Sequence, residues 1–107
     1  MKSTRTHVIV TTTTNTAACT DAIIAALLNN RLVACIQVSA ITSHYSWKGK
    51  IAHDTEQLLT IKTRKALLNK VEACIRAHHT YETPQIVSWH ISHGHAPYFK
   101  WIDEVTK

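Results

Sequence analysis

The chain has 107 residues, of which 45% are hydrophobic and only two each are glycine and proline, a composition that excludes a disordered or fibrous protein. Its length is that of one domain covering residues 1–107. Lysine and arginine outnumber aspartate and glutamate by 12 to 7, but they are scattered along the chain, so a solvated positive surface is favoured over a nucleic-acid-binding one.

The cysteines and the apolar runs bear on where the protein works. Cys19, Cys35 and Cys74 lack CxxC spacing, which argues against a disulfide framework or a structural zinc site. The longest apolar run, residues 22–28, is too short for an export signal or a membrane span. We therefore expect a cytoplasmic protein without membrane contact, whose cysteines are reduced and largely buried.

The first predicted elements are a strand and a helix. Residues 7–13 are rich in β-branched side chains and predict a buried strand. Asn15 or Thr16 can cap the helix that follows, in which apolar residues recur at helical spacing. Asn29 and Asn30 predict a left-handed end to this helix.

A long hairpin comes next. Val33–Trp47 contains no breaker residue over fifteen positions, and its apolar residues change from one face to the other near Ala40–Ile41. Because side chains alternate along a strand, this change predicts an extra residue or a bend. Lys48-Gly49-Lys50 predicts the turn, and residues 51–62 predict the returning strand.

The second half of the chain predicts helix, strand and helix. Apolar positions from Leu67 to His78 follow helical spacing, and Pro84 prevents the helix from continuing. Residues 86–91 predict a strand, and Pro97 opens a short C-terminal helix. The order βαββαβ plus a terminal helix predicts an α+β, ferredoxin-like sandwich with two helices on one sheet face.

The other face of this sheet would carry large aromatic side chains. Tyr45, Trp47 and Trp89 are too bulky and apolar to be left in water in a monomer. We therefore expect the protein to self-associate across that face.

Several segments resemble those of one protein family, in family order: L-V-A-C (32–35), Y-S-W-K-G-K (45–50), L-L-T-I-K-T (58–63), H-H-T-Y-E-T-P-Q (78–85) and G-H-A-P-Y-F-K-W-I (94–102). The chain resembles the CutA family of divalent-cation-tolerance proteins, which are small ferredoxin-like trimers related in architecture to the PII signalling proteins. The resemblance implies a homotrimer that binds copper or another divalent cation weakly and takes part in metal tolerance or response. A PII-like small-ligand sensor or signalling protein is the alternative.

The resemblance makes His78 and His79 the candidate metal ligands. Some family members place a cysteine near the end of the first strand, where this chain has Thr11 and Thr12, and a hydroxyl is a poor ligand for copper. Adjacent helical residues also point about 100° apart. We therefore expect the pair to act first as a helix end, with one histidine capping carbonyl groups and the other reaching outward, and second as a metal site.

A second candidate group follows from the same resemblance. It places Trp47, Glu56, Lys62 and Tyr81 near a cleft between subunits. An acid, an amine and a phenol in a cleft can bind a small polar ligand, whereas the simpler interpretation is an interface ion pair with aromatic packing.

Two other functions of this fold are not supported by the residues. The aromatic signature of RNA-recognition domains is absent from residues 56–61, and residues 11–15 contain no glycine for a phosphate-binding loop. No nucleophile with an adjacent base is evident. We expect neither nucleic-acid binding nor catalysis, with an enzyme of unknown reaction as the remaining alternative.

Overall fold

The computed structural model describes residues 2–3 and 6–107 of the chain. Its strands are β1 (Lys2–Ser3), β2 (His7–Thr14), β3 (Cys35–Trp47), β4 (Lys50–Arg64), β5 (Ile86–His90) and β6 (His93–Gly94). Its helices are α1 (Ala17–Asn29), α2 (Leu68–His78) and α3 (Ala96–Val105), with a 3-10 turn at Lys65–Leu67 before α2. In this described part of the chain, none of the helices has both the length and the hydropathy needed to cross a bilayer.

The main sheet has four antiparallel strands in the order β3-β4-β2-β5, and β1 pairs separately with β6. Helices α1 and α2 cover one face, where side chains of both helices and of the two central strands form the core: Val8, Val10, Ile23, Leu27, Leu59, Ile61, Val71 and Ile75. This confirms the predicted ferredoxin-like α+β fold. We call the other side of the four-stranded sheet, which α3 covers only at the His7 end, the open face.

The strand ladder of the long hairpin has one register throughout. Cys35 lies opposite Lys62 and Trp47 lies opposite Lys50, with every intervening residue paired in turn. The predicted long hairpin is confirmed, but the extra residue near Ala40–Ile41 is wrong. The change in apolar face has another cause, because the ladder runs past the end of the helix layer and its outer part carries apolar side chains on the open face instead.

Local signals set the two ends of α1. The Thr16 hydroxyl accepts a hydrogen bond from the Cys19 amide at 3.1 Å, which caps α1 as predicted. The left-handed residue after α1 is Arg31, with φ 54°, and not an asparagine. Asn30 has φ −89° and satisfies the Ala26 carbonyl through its side-chain amide at 2.7 Å. An asparagine can therefore end a helix without leaving the right-handed region.

The turn of the hairpin is a two-residue loop. Lys48 has φ 50° and Gly49 has φ 78°, and positive φ at both positions is the pattern of the turn whose twist matches antiparallel strands. Lysine tolerates this conformation less readily than glycine. The turn therefore depends on the ladder on either side of it.

A buried histidine holds α3 against the start of β2. The His7 ring stacks on Phe99 with centroids 4.4 Å apart, and its Nε2 lies 2.8 Å from Asp103 Oδ1. His7 is 4% exposed. The contact combines apolar packing with a bond to a carboxylate, so α3 is part of the folded unit and not an appendage.

One threonine of β2 has an unsatisfied hydroxyl. Among the described residues, Thr12 Oγ1 is the buried side-chain oxygen that has no hydrogen-bond partner, and Thr12 is fully buried. We expect Thr12→Val, which keeps the shape and removes the hydroxyl, to raise the free energy of unfolding by about 1 kcal/mol in urea titrations. Thr14→Val is the matched control, because its buried hydroxyl lies 2.5 Å from that of Thr20. It should lower stability, and an equal loss in both variants would contradict the argument.

Candidate functional site

A cleft of about 500 Å³ opens where the sheet narrows from four strands to two. β2 ends at Thr14, opposite Gln57, whereas β3 and β4 continue together to their turn. We call this two-stranded outer part, residues 41–56, the distal hairpin. The loop of residues 79–85 that follows α2 forms the other wall. The lining includes three aromatic rings and two carboxyl groups, those of Tyr45, Trp47, Tyr81, Glu56 and Glu82.

The end of α2 positions this loop. The helix ends at His78, and His79 has extended backbone with φ −84° and ψ 145°. His79 Nε2 donates to the carbonyl of Thr13 at 2.8 Å, and His79 Nδ1 accepts the amide N–H of Tyr81 at 3.0 Å. One imidazole therefore ties the loop to β2 and directs the next aromatic residue into the cleft.

The centre of the cleft is a hydrogen bond between Tyr81 and Glu56. The phenol Oη donates to Glu56 Oε2 at 2.5 Å, and Glu56 is only 8% exposed. Burial, and then the hydrogen bond to the Glu56 carboxylate, raise the pKa of Tyr81 above its usual range. The phenol therefore remains a donor at neutral pH.

A second phenol and carboxylate pair lies on the distal hairpin. Tyr45 donates to Asp54 Oδ2, and this hydrogen bond is the main reason that the pKa of Tyr45 is raised. The two residues are diagonal neighbours across the strands, since Tyr45 lies opposite Ala52. Sequence reasoning missed this pair, although counting outward from the predicted turn would have found it.

Lys62 does not join the rest of the predicted cleft group. It lies six residues from Glu56 along β4, which is about 20 Å at the rise of a strand, and it is not part of the cleft lining. Its ammonium donates instead to Gln37 Oε1 on β3. Within one chain the structure thus brings together Trp47, Glu56 and Tyr81, and a cleft between subunits stays a prediction.

The two predicted metal ligands take different structural roles. The exposed His78 donates from Nδ1 to the carbonyl of Cys74 at 2.9 Å, which confirms that one histidine caps the helix. The expectation that the other reaches outward is wrong for His79, because both of its ring nitrogens are bonded inside the protein. The hydrogen bonds leave Nε2 of His78 as the available nitrogen of the pair. Their role as metal ligands stays a prediction.

Another imidazole pair lies on the distal hairpin. His44 and His53 are directly opposite each other, and their rings are stacked with centroids 5.6 Å apart and planes inclined by 25°. Both side chains are exposed. Sequence reasoning did not single out these residues, but their equal distances from the turn would have indicated that they face each other. Among residues 2–3 and 6–107, no larger group of histidine, cysteine and acidic side chains could hold a metal ion.

The cysteines agree in part with the sequence prediction. All three are free thiols, with Cys19 buried and both Cys35 and Cys74 half-buried. Burial raises the pKa of the Cys74 thiol, which disfavours the thiolate that metals bind. Cys74 is therefore suited to packing more than to binding a metal.

Comparison with known proteins gives consistent matches. A family model described as CutA1 divalent ion tolerance protein matches residues 8–105. The chain is 41% identical over 80 residues to a Protein CutA homolog from Xenopus laevis and 37% identical over 83 residues to Protein CutA from Homo sapiens, covering 74% and 77% of this chain. It spans about half the length of these curated relatives, 53% and 46% respectively. Over 82 residues it is 38% identical to the Divalent-cation tolerance protein CutA from Thermus thermophilus, covering 76% of this chain and 80% of that protein.

Solved structures agree with these matches. The structure of the periplasmic divalent cation tolerance protein CutA from Archaeoglobus fulgidus superimposes with a TM-score of 0.91 at 32% identity, covering 94% of this chain and 99% of that chain. The structure of CutA1 from Oryza sativa gives a TM-score of 0.91 at 29% identity, covering 99% of this chain and 98% of that chain. The similarity extends over nearly the whole chain.

The raised pKa of Tyr81 makes a prediction about stability and pH. A group whose pKa is higher in the folded than in the unfolded state contributes stability below its unfolded pKa, about 10 for tyrosine. That contribution is lost as pH rises further. We expect urea titrations from pH 8 to 11 to show a stability decline above about pH 10 that is shallower in Tyr81→Phe. The variant should also lose about 1–3 kcal/mol near pH 8, because Glu56 loses its donor. Identical slopes for both proteins would contradict the assignment.

Proposed function

Because the chain belongs to the CutA1 divalent ion tolerance protein family, we propose that it binds divalent, copper-type metal ions weakly, as a homotrimer, in metal tolerance or response in the cytoplasm. The family model and the Thermus thermophilus relative are named for divalent ion tolerance and not for an enzymatic reaction, which supports a binding role. The matches do not favour the alternative of a PII-like sensor. Three free thiols support a reducing location.

The observation that carries metal binding is the His44–His53 pair. Imidazole suits copper, nickel and zinc, and two exposed rings that face each other across a ladder can both turn toward one ion. Two protein ligands leave the remaining coordination positions to water or to other donors. Such a site binds weakly, in keeping with the absence of a larger donor cluster among the described residues.

The predicted pair at the end of α2 fits a metal less well. His78 can offer Nε2 while its Nδ1 keeps the hydrogen bond to the Cys74 carbonyl, an arrangement common among metal-binding histidines. His79 could bind only after losing a contact with β2 or with its own loop. We therefore propose His78 as a single auxiliary donor and His79 as a structural residue.

Metal titration of histidine variants tests whether the His44–His53 pair is the main site and His78 an auxiliary donor. We expect a His44→Ala, His53→Ala double variant to lose at least tenfold in copper affinity by calorimetry, and His78→Ala to lose less. His90→Ala is the control, since this exposed histidine lies on β5 at the opposite edge of the sheet from β3.

Two other results would contradict this assignment of the metal site. Loss of affinity in His78→Ala with an unchanged double variant would transfer the site to the end of α2. Equal affinity in all variants would remove the histidine basis of the proposal. His79→Ala should instead lower the unfolding temperature.

The open face supports the homotrimer. Large apolar side chains of the distal hairpin and of β5 are about half exposed there, with Tyr45 at 40%, Trp47 at 48%, Val87 at 48% and Trp89 at 50%. Large apolar side chains left half exposed at two places on one sheet face are typical of a surface that another chain covers. A cyclic assembly would cover it once in each subunit.

Light scattering tests the assembly. We expect a mass three times the 12.0 kDa of the chain at micromolar concentration, and partial dissociation of Trp47→Ala, because large aromatic residues are common interface hot spots. Trp101→Ala is the matched control, since Trp101 is 39% exposed on α3. A monomeric wild-type protein would refute the proposal.

A further inference from the structure

We propose that the cleft between the distal hairpin and the loop of residues 79–85 binds an alkylammonium group, supplied either by a small free amine or by a lysine of another copy of the chain. The cleft is acidic in a protein whose formal net charge is +5. Its described lining contains Glu56, Glu82 and one histidine, His44, but neither lysine nor arginine. The local charge therefore favours a cation where the overall charge does not.

Glu56 is the main anchor in this proposal. It is more than nine-tenths buried, and a buried carboxylate is costly unless it is paired or fully hydrogen-bonded. Tyr81 bonds to one oxygen, Oε2. The ion pairs of the described residues are His7 with Asp103 and Lys100 with Glu104, so neither involves Glu56. Oε1 is left as an acceptor that an ammonium N–H can fill.

Tyr81, the phenol beside this carboxylate, is not an ion-pair partner for Glu56. The pKa of Tyr81 is raised by burial and by Glu56, so the phenol is neutral and donates its proton without ionising. Of the two carboxyl groups in the lining, Glu56 is bonded to this phenol and Glu82 is exposed. They offer a divalent ion too few oxygen ligands, whereas one carboxylate oxygen is enough for an ammonium N–H.

Aromatic rings make the cleft suitable for an organic cation. Tyr45, Trp47 and Tyr81 line it, and the hydroxyl groups of both tyrosines point to carboxylates, which leaves ring faces for cation–π contact. The Trp47 ring already has such a contact, because Lys48 Nζ lies 5.6 Å from its centroid. The cleft volume of about 500 Å³ is in the range of small-ligand sites.

The two sources of the ammonium group have different consequences. A free amine would enter the cleft of the intact assembly and compete only with water. A lysine of another copy would make Glu56 part of the contact between subunits, and the cleft would already be filled in the assembled protein. The inference does not require metal binding, and none of the variants that test it changes His44, the residue that the cleft shares with the proposed metal pair. Metal titration and amine titration can therefore fail independently.

The probe for a free amine is n-butylammonium, with n-butanol as the uncharged counterpart of similar size. Calorimetry would compare the wild-type protein with Glu56→Gln, which keeps an acceptor for Tyr81 and removes the charge, and with Glu72→Gln, which removes an exposed charge on α2. Trp47→Leu removes the ring face at a partly exposed position and tests the same site if Glu56→Gln folds poorly. Light scattering of each variant would follow the assembly.

Each outcome has a distinct meaning. Binding of n-butylammonium to the intact wild-type protein, reduced at least tenfold by Glu56→Gln and unchanged by Glu72→Gln, supports a small amine as ligand. Absence of binding, together with dissociation of Glu56→Gln but not of Glu72→Gln, supports a lysine of another copy. The proposal is overturned if n-butanol binds as tightly as the amine, or if Glu56→Gln changes neither affinity nor assembly.

Discussion

The site depends on a difference in strand length. β4 pairs with β3 from Lys50 to Lys62 but with β2 only from Gln57 onward. Glu56 is therefore the last residue of β4 before β2 joins the sheet. At that point the hairpin loses its neighbours in the plane of the sheet, and the loop after α2 occupies the space. Burial of a carboxylate here follows from the geometry of the sheet edge more than from any local sequence signal.

The fold could be predicted from sequence because its determinants are periodic and local. Helical spacing from Leu67 to His78, the breaker Pro84 and the positive-φ turn at Gly49 each fix one element without knowledge of the others. The extra residue expected near Ala40–Ile41 was wrong for an instructive reason. The face on which a strand carries apolar residues depends on what packs against it. Here the helices pack only on the inner part of the hairpin, while the ladder continues unbroken.

The site could be predicted only in part, since its contacts join distant segments. The resemblance brought Glu56 and Tyr81 into one group, and the structure joins them by a hydrogen bond. Within one chain the structure does not bring Lys62 to them, in keeping with the rise of a strand, and a cleft between subunits stays a prediction. The inward bonds of His79 were beyond sequence reasoning, because nothing in H-H-T-Y indicates that an imidazole will bridge β2 and the next loop. The sequence shows which side chains can form hydrogen bonds, but tertiary packing determines their partners.

The hairpin also bears on the order in which the chain can fold. Its strands are joined by a two-residue turn, so each successive pair closes a small loop and the ladder can zip within microseconds. β2 must find β5 across most of the chain, a far slower search. An early hairpin would carry its tryptophan and tyrosine side chains in water before the loop after α2 packs beside it. The hairpin that forms one wall of the cleft would thus also be the segment most open to wrong pairing between nascent chains. The lysines on either side of Gly49 place positive charge at its tip, which disfavours such contacts.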